Sequence, residues 1–340
     1  MRDLVARFRE QAAGCRSYGS ALSGALLEGA ADDLEAGGVV ADLMAPHAGD
    51  PGGTVPALRL AGSLHRLVLQ GRAPSLAAYY PSVGGTAPAE QVWPAARETV
   101  AVHLDELRGL VRRTVQTNEV GRAAVLLGVL QLLPGPVRLL EIGASAGLNL
   151  RCDRFAYEVG EQVLGDPGSP VRLVQPWEGR RPPYRGTQVV ERRGCDPNPL
   201  DPTTEEGRLT LTSYVWPDQL DRLARLRAAL DVATAVPAEV QRAGALEFLR
   251  REIGARTDVT TLVWHSVVWQ YVHPDERAAV DELLDHCEGP VVRASMEPNR
   301  IGEGHVFQVH LRRAGHDPVH VADCHGHGPP VRWTGATLEG

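Results

Sequence analysis

Between Val137 and Leu150 the chain reads Val-Arg-Leu-Leu-Glu-Ile-Gly-Ala-Ser-Ala-Gly-Leu-Asn-Leu, an apolar run that empties into five consecutive small residues. Val137, Leu139, Leu140 and Ile142 follow Pro134 and Pro136 and give the pattern of a strand covered on both faces, as central strands of parallel sheets are. Gly143, Ala144, Ser145, Ala146 and Gly147 then make a turn without bulk, where a ligand can approach the backbone and the N–H groups of an expected following helix. Glu141 stands one residue before the strand's end. An acid in an apolar run needs a partner, and an amino or hydroxyl group of a bound cofactor would serve. A strand–turn–helix junction without any ligand is the plainer alternative. A dinucleotide site is disfavoured, because Ser145 and Leu148 occupy the third and sixth positions of the G-x-G-x-x-G frame. No Gly-Lys-Ser/Thr follows to make a phosphate-binding loop.

The 340 residues allow two domains with a sizeable core. Lys and Arg number 35 against 42 Asp and Glu, a formal charge of −7 that argues against a dedicated nucleic-acid or anionic-membrane surface. The first residues lack a charged-then-apolar signal, and no run of about 18 apolar residues occurs. Cys15, Cys152, Cys195, Cys287 and Cys324 are odd in number and form no C-x-x-C, so reduced thiols and a cytoplasmic location are expected.

Up to about residue 135 the periodicity is helical: Leu4, Val5, Phe8 and Ala12, then Leu22, Ala25, Leu26 and Ala30, then Leu64, Leu67 and Val68 after Ser63. Segments 90–113 and 118–133 complete this half, around a Gly- and Pro-rich loop at 45–56. From Val137 onward strands and helices alternate, the signature of a mostly parallel sheet. Strands are expected at 171–174, 187–191, Val240, 260–268, 290–294 and 306–311, with helices at 216–230, 245–249 and 276–287. The division is therefore a helical region over 1–135, which would shape the substrate pocket, and an α/β domain over 136–340.

In a doubly wound sheet ligands lie beyond the C-terminal ends of the strands. His265, at the end of the fourth strand, titrates near neutrality and suits a general base, or else is a buried structural ring. Trp264 beside it packs around a cation or fills the core. Tyr214, Trp216 and Asp218 precede a helix, where Asp218 either meets substrate or supplies a first-turn acid. Asn118, Glu119 and Arg122 head the helix before the glycine turn, Asn118 as a cap or all three facing the cleft, with Glu119 a second proton acceptor. Asp196 and Glu297 end other strands, each in turn chemistry or in ligand contact. Six of the twelve histidines fall between His305 and His327, without paired ligand spacing, so no metal is expected.

Glu141, Gly143 and Gly147 resemble the acidic-x-G-x-G-x-G turn of class I S-adenosylmethionine-dependent methyltransferases, with Ser145 in place of the middle glycine. The order of elements, closed by a strand pair without an intervening helix, is similar to their sheet. The resemblance implies an α/β fold, a Rossmann-like class I methyltransferase sheet with a helical N-terminal region. It implies S-adenosylmethionine as cofactor, held by Glu141, Gly143, Ala144, Ser145, Gly147 and Asp196, with Asp196 accepting from the ribose hydroxyls. Gly244 stands where these enzymes place an acid for adenine. Asp196 lies some 50 residues after Gly143, where about 20 would be usual, so a hairpin insertion over 154–177 is expected.

Taken as a set, Asn118-Glu-Val-Gly-Arg122, Leu140-Glu-Ile-Gly-Ala-Ser-Ala-Gly-Leu-Asn149, Gly194-Cys-Asp-Pro-Asn-Pro-Leu200, Tyr214-Val-Trp-Pro-Asp-Gln219 and Trp264-His-Ser-Val-Val268 resemble the bacterial family called domain of unknown function 2332, over nearly the whole chain. That likeness supplies no reaction; it implies that Asn118, Glu119, Glu141, Asp196, Asp218 and His265 belong to family motifs. The expected activity is methyl transfer to a small-molecule O- or N-nucleophile, with His265 or Glu119 assisting deprotonation and Asn118, Arg122, Tyr214, Trp216, Asp218, Trp264 and Glu297 contacting substrate. No nucleic acid or membrane partner is expected, and a homodimer is left open. A binding protein of methyltransferase fold without catalysis stays in view. A hydrolase using His265 and Ser266 ranks last, because neighbours on a strand point to opposite faces and no G-x-S-x-G elbow exists.

Overall fold

The computed structural model describes residues 1–51, 54–254, 258–301 and 304–338, with the side chains of 300–305, His305 among them, outside the description. The chain divides into two compact units, 1–117 with 204–224, and 118–203 with 225–340.

The first unit is helical. Its elements are α1 (Arg2–Ser17), α2 (Ala21–Glu35), α3 (Val39–Met44), α4 (Pro56–Leu69), α5 (Pro74–Ala77), α6 (Val92–Val102) and α7 (Leu104–Leu110). The 3.6 period decides what is inside: α1 buries Leu4, Val5, Phe8, Ala12 and Cys15, and α2 buries Leu22, Leu26 and Ala30. Ser20 starts α2 by accepting from the Ser23 N–H at 3.3 Å. Ser63 does not start a helix. It lies inside α4, where its hydroxyl donates back to the Arg59 carbonyl at 2.7 Å.

The second unit holds α8 (Ala123–Gln131), then β1 (Val137–Ile142), β2 (Ala156–Val159), β3 (Gln162–Gly165), β4 (Arg172–Val174) and β5 (Val189–Asp196). After β5 the chain contributes α9 (Glu205–Ser213) to the helical unit, and α10 (Leu220–Ala235) carries it across the division. It continues as β6 (Glu239–Arg242), α11 (Ala245–Glu252), β7 (Thr260–Ser266), α12 (Pro274–Asp285), β8 (Val291–Ile301), β9 (Gly304–Arg313), β10 (Val319–His325) and β11 (Gly328–Trp333). Eight strands form one sheet in the order β11-β10-β9-β8-β7-β1-β5-β6. The five from β6 to β8 are parallel, and β9, β10 and β11 extend them as antiparallel neighbours. Every residue of β1 is buried, so its apolar residues do not alternate with solvent-facing ones, and of its two charged residues Arg138 pairs with Glu191 and Glu252. One face carries a core of Leu140, Ile142, Val263, Phe248 and Val280 beneath α11 and α12.

Several expectations change. No α-helix follows the glycine turn: residues Asn149–Arg154 form a 3-10 stretch broken at Arg151. The Leu148 N–H goes to the Asn118 side chain at 2.9 Å, and the Arg151 guanidinium turns back onto the Gly147 carbonyl at 2.6 Å. The Leu150 and Arg151 N–H groups pair three residues back, with the Gly147 and Leu148 carbonyls at 3.2 Å each, so the stretch closes as 3-10 turns. The inserted hairpin is present as β2 and β3, but the strand at 171–174 joins it as β4 instead of entering the main sheet. Two further strands follow 306–311, where the sheet was expected to close, and the second, β11, carries Pro329 and Pro330. Proline is tolerated there because β11 is the sheet's last strand. The two compact units divide at 117/118, with residues 204–224 in the first. All nine residues of α8 are buried, and it accepts hydrogen bonds at Ala123 from the Tyr157 hydroxyl (3.2 Å) and at Ala124 from the Trp177 indole (3.1 Å).

Candidate functional site

The parallel strands follow the order third, second, first, fourth, fifth along the chain, so the connections reverse direction between β1 and β7. In open α/β sheets the crevice beyond the strand ends at such a switch point is where ligands bind. Three strand ends meet there: Gly143 to Gly147 after β1, Asp196 ending β5, and Ser266 to Val268 after β7.

The backbone at two of these ends is unusual. Gly143 and Gly147 take φ of 69° and 68°, and Ser145 takes 54°. The Val268 side chain fills the place a Cβ on Gly143 would need, and Val240 Cγ2 lies 2.8 Å from the corresponding place on Gly147. Both glycines are therefore required by conformation and by space. Val267 also has a positive φ, 54°, which for a β-branched residue costs on the order of 1–3 kcal/mol and persists only where surrounding contacts impose it.

The turn's N–H groups are largely taken by the protein. Ala144 donates to the Cys195 carbonyl (2.9 Å), Ser145 to Asp196 Oδ2 (3.0 Å) and Gly147 to the Ala144 carbonyl (2.7 Å). The expectation of open N–H groups awaiting a ligand is corrected accordingly. Asp196 holds the turn from below, and its other oxygen accepts from the Asn198 N–H at 2.8 Å.

Glu141 behaves differently. It is 2% exposed, and its Oε2 has no hydrogen-bond partner. Burial pushes its carboxyl up to about 8, against the pull of Arg122 and Arg151 and with a smaller push from Asp196. Trp264 lies in register across from it on β7, fully buried, with an indole Nε1 that is also unpartnered. Orphaned buried polar atoms are rare in folded proteins, and a strongly perturbed acid at a strand end marks a candidate site.

Asn118, Glu119 and Arg122 come together above these strand ends. The Asn118 side chain accepts from Leu148, Glu119 Oε1 accepts from the Gly121 N–H at 3.0 Å, and the Glu119 carbonyl accepts from Asn149 Nδ2 at 3.1 Å. Arg122 donates to the Ser266 carbonyl at 3.2 Å and to the Gly326 carbonyl at 3.0 Å. The motif thus stitches the glycine turn, the end of β7 and the β10–β11 turn to the start of α8.

His265 is fully buried on the opposite face of β7 from Trp264. Its Nδ1 lies 2.8 Å from Glu297 Oε1, and its Nε2 receives Arg293 at 3.0 and 3.1 Å. Arg293 is itself paired with Asp281. Burial lowers the ring's proton affinity, opposed by Glu297 and assisted by Arg293. The neutral ring has both nitrogens engaged, leaving no lone pair for a substrate proton in this conformation. Glu297 also accepts from the Val268 and Trp269 N–H groups at 3.2 and 3.3 Å.

Tyr214, Trp216 and Asp218 belong to the helical unit. Asp218 accepts from the Ser20 hydroxyl at 2.6 Å and from the Leu22 N–H at 3.0 Å, so it sits at the N-terminus of α2 rather than of its own helix. Tyr214 packs on Gly62 of α4, and Trp216 meets Tyr18 edge-on. Both line a cavity of about 20 Å³ with Leu58, His65 and Tyr80, room for one water molecule.

A family model described as an uncharacterized protein conserved in bacteria, domain of unknown function 2332, matches residues 5–333. The chain belongs to this family. No curated protein and no solved structure matches it. In this domain of unknown function 2332 chain all five cysteines are free thiols. Among the described residues no group of three or more His, Cys, Asp or Glu is arranged to hold a metal ion, and no helix is long and apolar enough to cross a membrane. Four residues escaped the sequence reading. Arg293 and Asp281 complete the His265 network; Val267 could be found only from its φ. Glu276 reaches from α12 to the start of α11, where its Oε1 accepts from the Leu246 N–H at 3.1 Å and lies 2.8 Å from the place of a Cβ on Gly244.

Proposed function

We propose that the sheet unit binds S-adenosylmethionine at the switch point between β1 and β7 and transfers its methyl group to a small-molecule oxygen or nitrogen nucleophile. The observation that carries this reading is Glu141, a buried carboxyl with an unpartnered oxygen beside the glycine turn. An ammonium or hydroxyl donor from a ligand would gain most there, because nothing else competes for that atom. Two further acids fit the group. Asp196 already holds two backbone N–H groups, and a carboxylate has lone pairs for ribose hydroxyls besides. Glu276 offers an acceptor beside Gly244, at the end of β6, for an exocyclic amine.

The bound cofactor would supply an electrophilic methyl carbon. The chain's own contribution is to bind, orient and exclude water, so that the nucleophile meets that carbon in line. Glu119 is occupied as a cap and His265 by Arg293. A proton can pass to His265 Nε2 only after Arg293 withdraws from it. Those occupied groups favour one second reading, a binding protein that holds the same ligand without catalysis.

Isothermal titration with S-adenosylmethionine and S-adenosylhomocysteine, on wild type and on Glu141→Ala and Asp196→Ala, tests the proposal. Micromolar binding weakened at least about tenfold in both variants, some 1.4 kcal/mol, is the expected result. A folded wild-type protein that binds neither compound would overturn it. Binding with no methyl transfer to any nucleophile would select the second reading.

A further inference from the structure

We propose that residues 267–272, the connection from β7 to α12, form a lid over the switch-point crevice, latched shut by the carboxylate of Glu297. The inference rests on the reading above for what the crevice receives, but the latch itself stands on contacts within the free chain. The connection leaves β7 directly across the end of β1, and the Val268 side chain occupies the space beside Gly143. A ligand atom that took up the space beside the Gly143 backbone would have to displace Val268.

Three sets of contacts hold the connection down. Before the bend, Arg122 donates to the Ser266 carbonyl at 3.2 Å. At the bend, the Val267 N–H donates to the Met296 carbonyl at 2.9 Å. After it, Glu297 Oε1 gathers the Val268 and Trp269 N–H groups together with His265 Nδ1. Trp269 is then held by stacking on His265, with ring centroids 4.4 Å apart, and by the Arg293 guanidinium 4.4 Å from its ring centre. A single carboxylate oxygen thus secures both N–H groups that follow the bend and orients the ring on which Trp269 rests.

The backbone between those anchors is strained. Val267 holds a φ of 54°, a conformation that a β-branched residue leaves when its neighbours allow. The bend stores strain, and of the groups that oppose it Glu297 is the one that holds the backbone beyond Val267. That pairing of a strained hinge with one removable anchor is what a lid requires. The arrangement also gives the buried network of His265, Arg293 and Asp281 a purpose other than proton transfer: it positions Glu297 and Trp269.

Hydrogen exchange on the free full-length protein tests the latch. In Glu297→Ala, exchange at the Val268 and Trp269 amides should quicken at least about tenfold, or 1.4 kcal/mol of protection. The strand amides of 260–265 and 291–296 should keep their wild-type protection. Glu297→Gln, which retains a carbonyl acceptor, should fall between the two. Unchanged exchange at 268 and 269 would overturn the proposal, and so would equal acceleration throughout β7 and β8, since Glu297 would then be a general structural contact. Because the readout needs no ligand, a failure to bind S-adenosylmethionine would count against the cofactor reading and leave the exchange result to decide the latch. If the cofactor does bind, its association should be faster to Glu297→Ala than to wild type.

Discussion

Glu141 concentrates the chemistry of the sheet unit in one side chain. Its carboxyl, held at about 8 against an ordinary 4.5, carries a proton at neutral pH. The folded chain therefore keeps a proton that the unfolded chain releases as the pH rises from 4.5 to 8. The associated stability is fully present below 4.5 and is lost towards 8, at about 1.4 kcal/mol per pH unit within that window. Glu141→Gln imitates the protonated form without being able to ionise. It should match wild type within about 1 kcal/mol near pH 5 and melt several degrees higher near pH 9, where wild type buries a charge. Parallel melting profiles for the two proteins from pH 5 to 9 would show that folding does not raise the Glu141 carboxyl. His265 has the opposite sign: burial lowers it from 6.5, so its share of stability is present above that value and is lost as the pH falls through the lower folded value. Acid melts of the same two proteins should therefore fall together.

At the scale of the element, the segment Asn118–Arg122 joins parts of the chain that sequence keeps far apart. Arg122 reaches Ser266 and Gly326, residues 144 and 204 positions away. Arg122→Met keeps the aliphatic stem but removes both donors, leaving two carbonyls without them. Each abandoned partner costs about 1–3 kcal/mol, so a loss of about 2–6 kcal/mol is expected in urea unfolding, with an unchanged slope. A loss below about 0.5 kcal/mol would mean that solvent replaces the guanidinium and that the stitch is ornamental. The same distances explain what was legible. β1 and β7 carry apolar clusters, Leu139 with Leu140 and Leu262 to Trp264, so local pattern finds them, and the 3.6 period finds α1, α2 and α12. The helix expected after Gly147 is replaced by 3-10 turns broken at Arg151, whose guanidinium bends back onto the Gly147 carbonyl, and no local periodicity reports that. His265 is visible as a histidine at a strand end. That Arg293 closes its second nitrogen is not, because only the pairing of β7 with β8 brings them together.

For the molecule as a whole, the division at 117/118 changes what can be cut away. Helical periodicity continues to about residue 133, so sequence alone groups α8 with the helices before it. Its burial assigns it to the sheet. The Trp333 ring of β11 occupies the space beside Gly128, and the Tyr157 hydroxyl and the Trp177 indole both end on α8 carbonyls. Val125, Leu126, Leu127, Val129 and Leu130 are each at most 2% exposed. At about 1.5–3 kcal/mol for each buried side chain, they contribute roughly 8–15 kcal/mol, the order of a domain's entire net stability. A fragment of residues 118–340 should therefore be the better folded of two truncations, and one of 136–340 should lose its cooperative melt and expose the faces of Trp333 and Trp177. Both fragments retain 204–224 alike, so the difference between them isolates α8. Circular dichroism melts with tryptophan emission on the purified fragments decide the matter: equally cooperative transitions would return α8 to the helical unit, and a melt confined to 118–340 would keep it with the sheet.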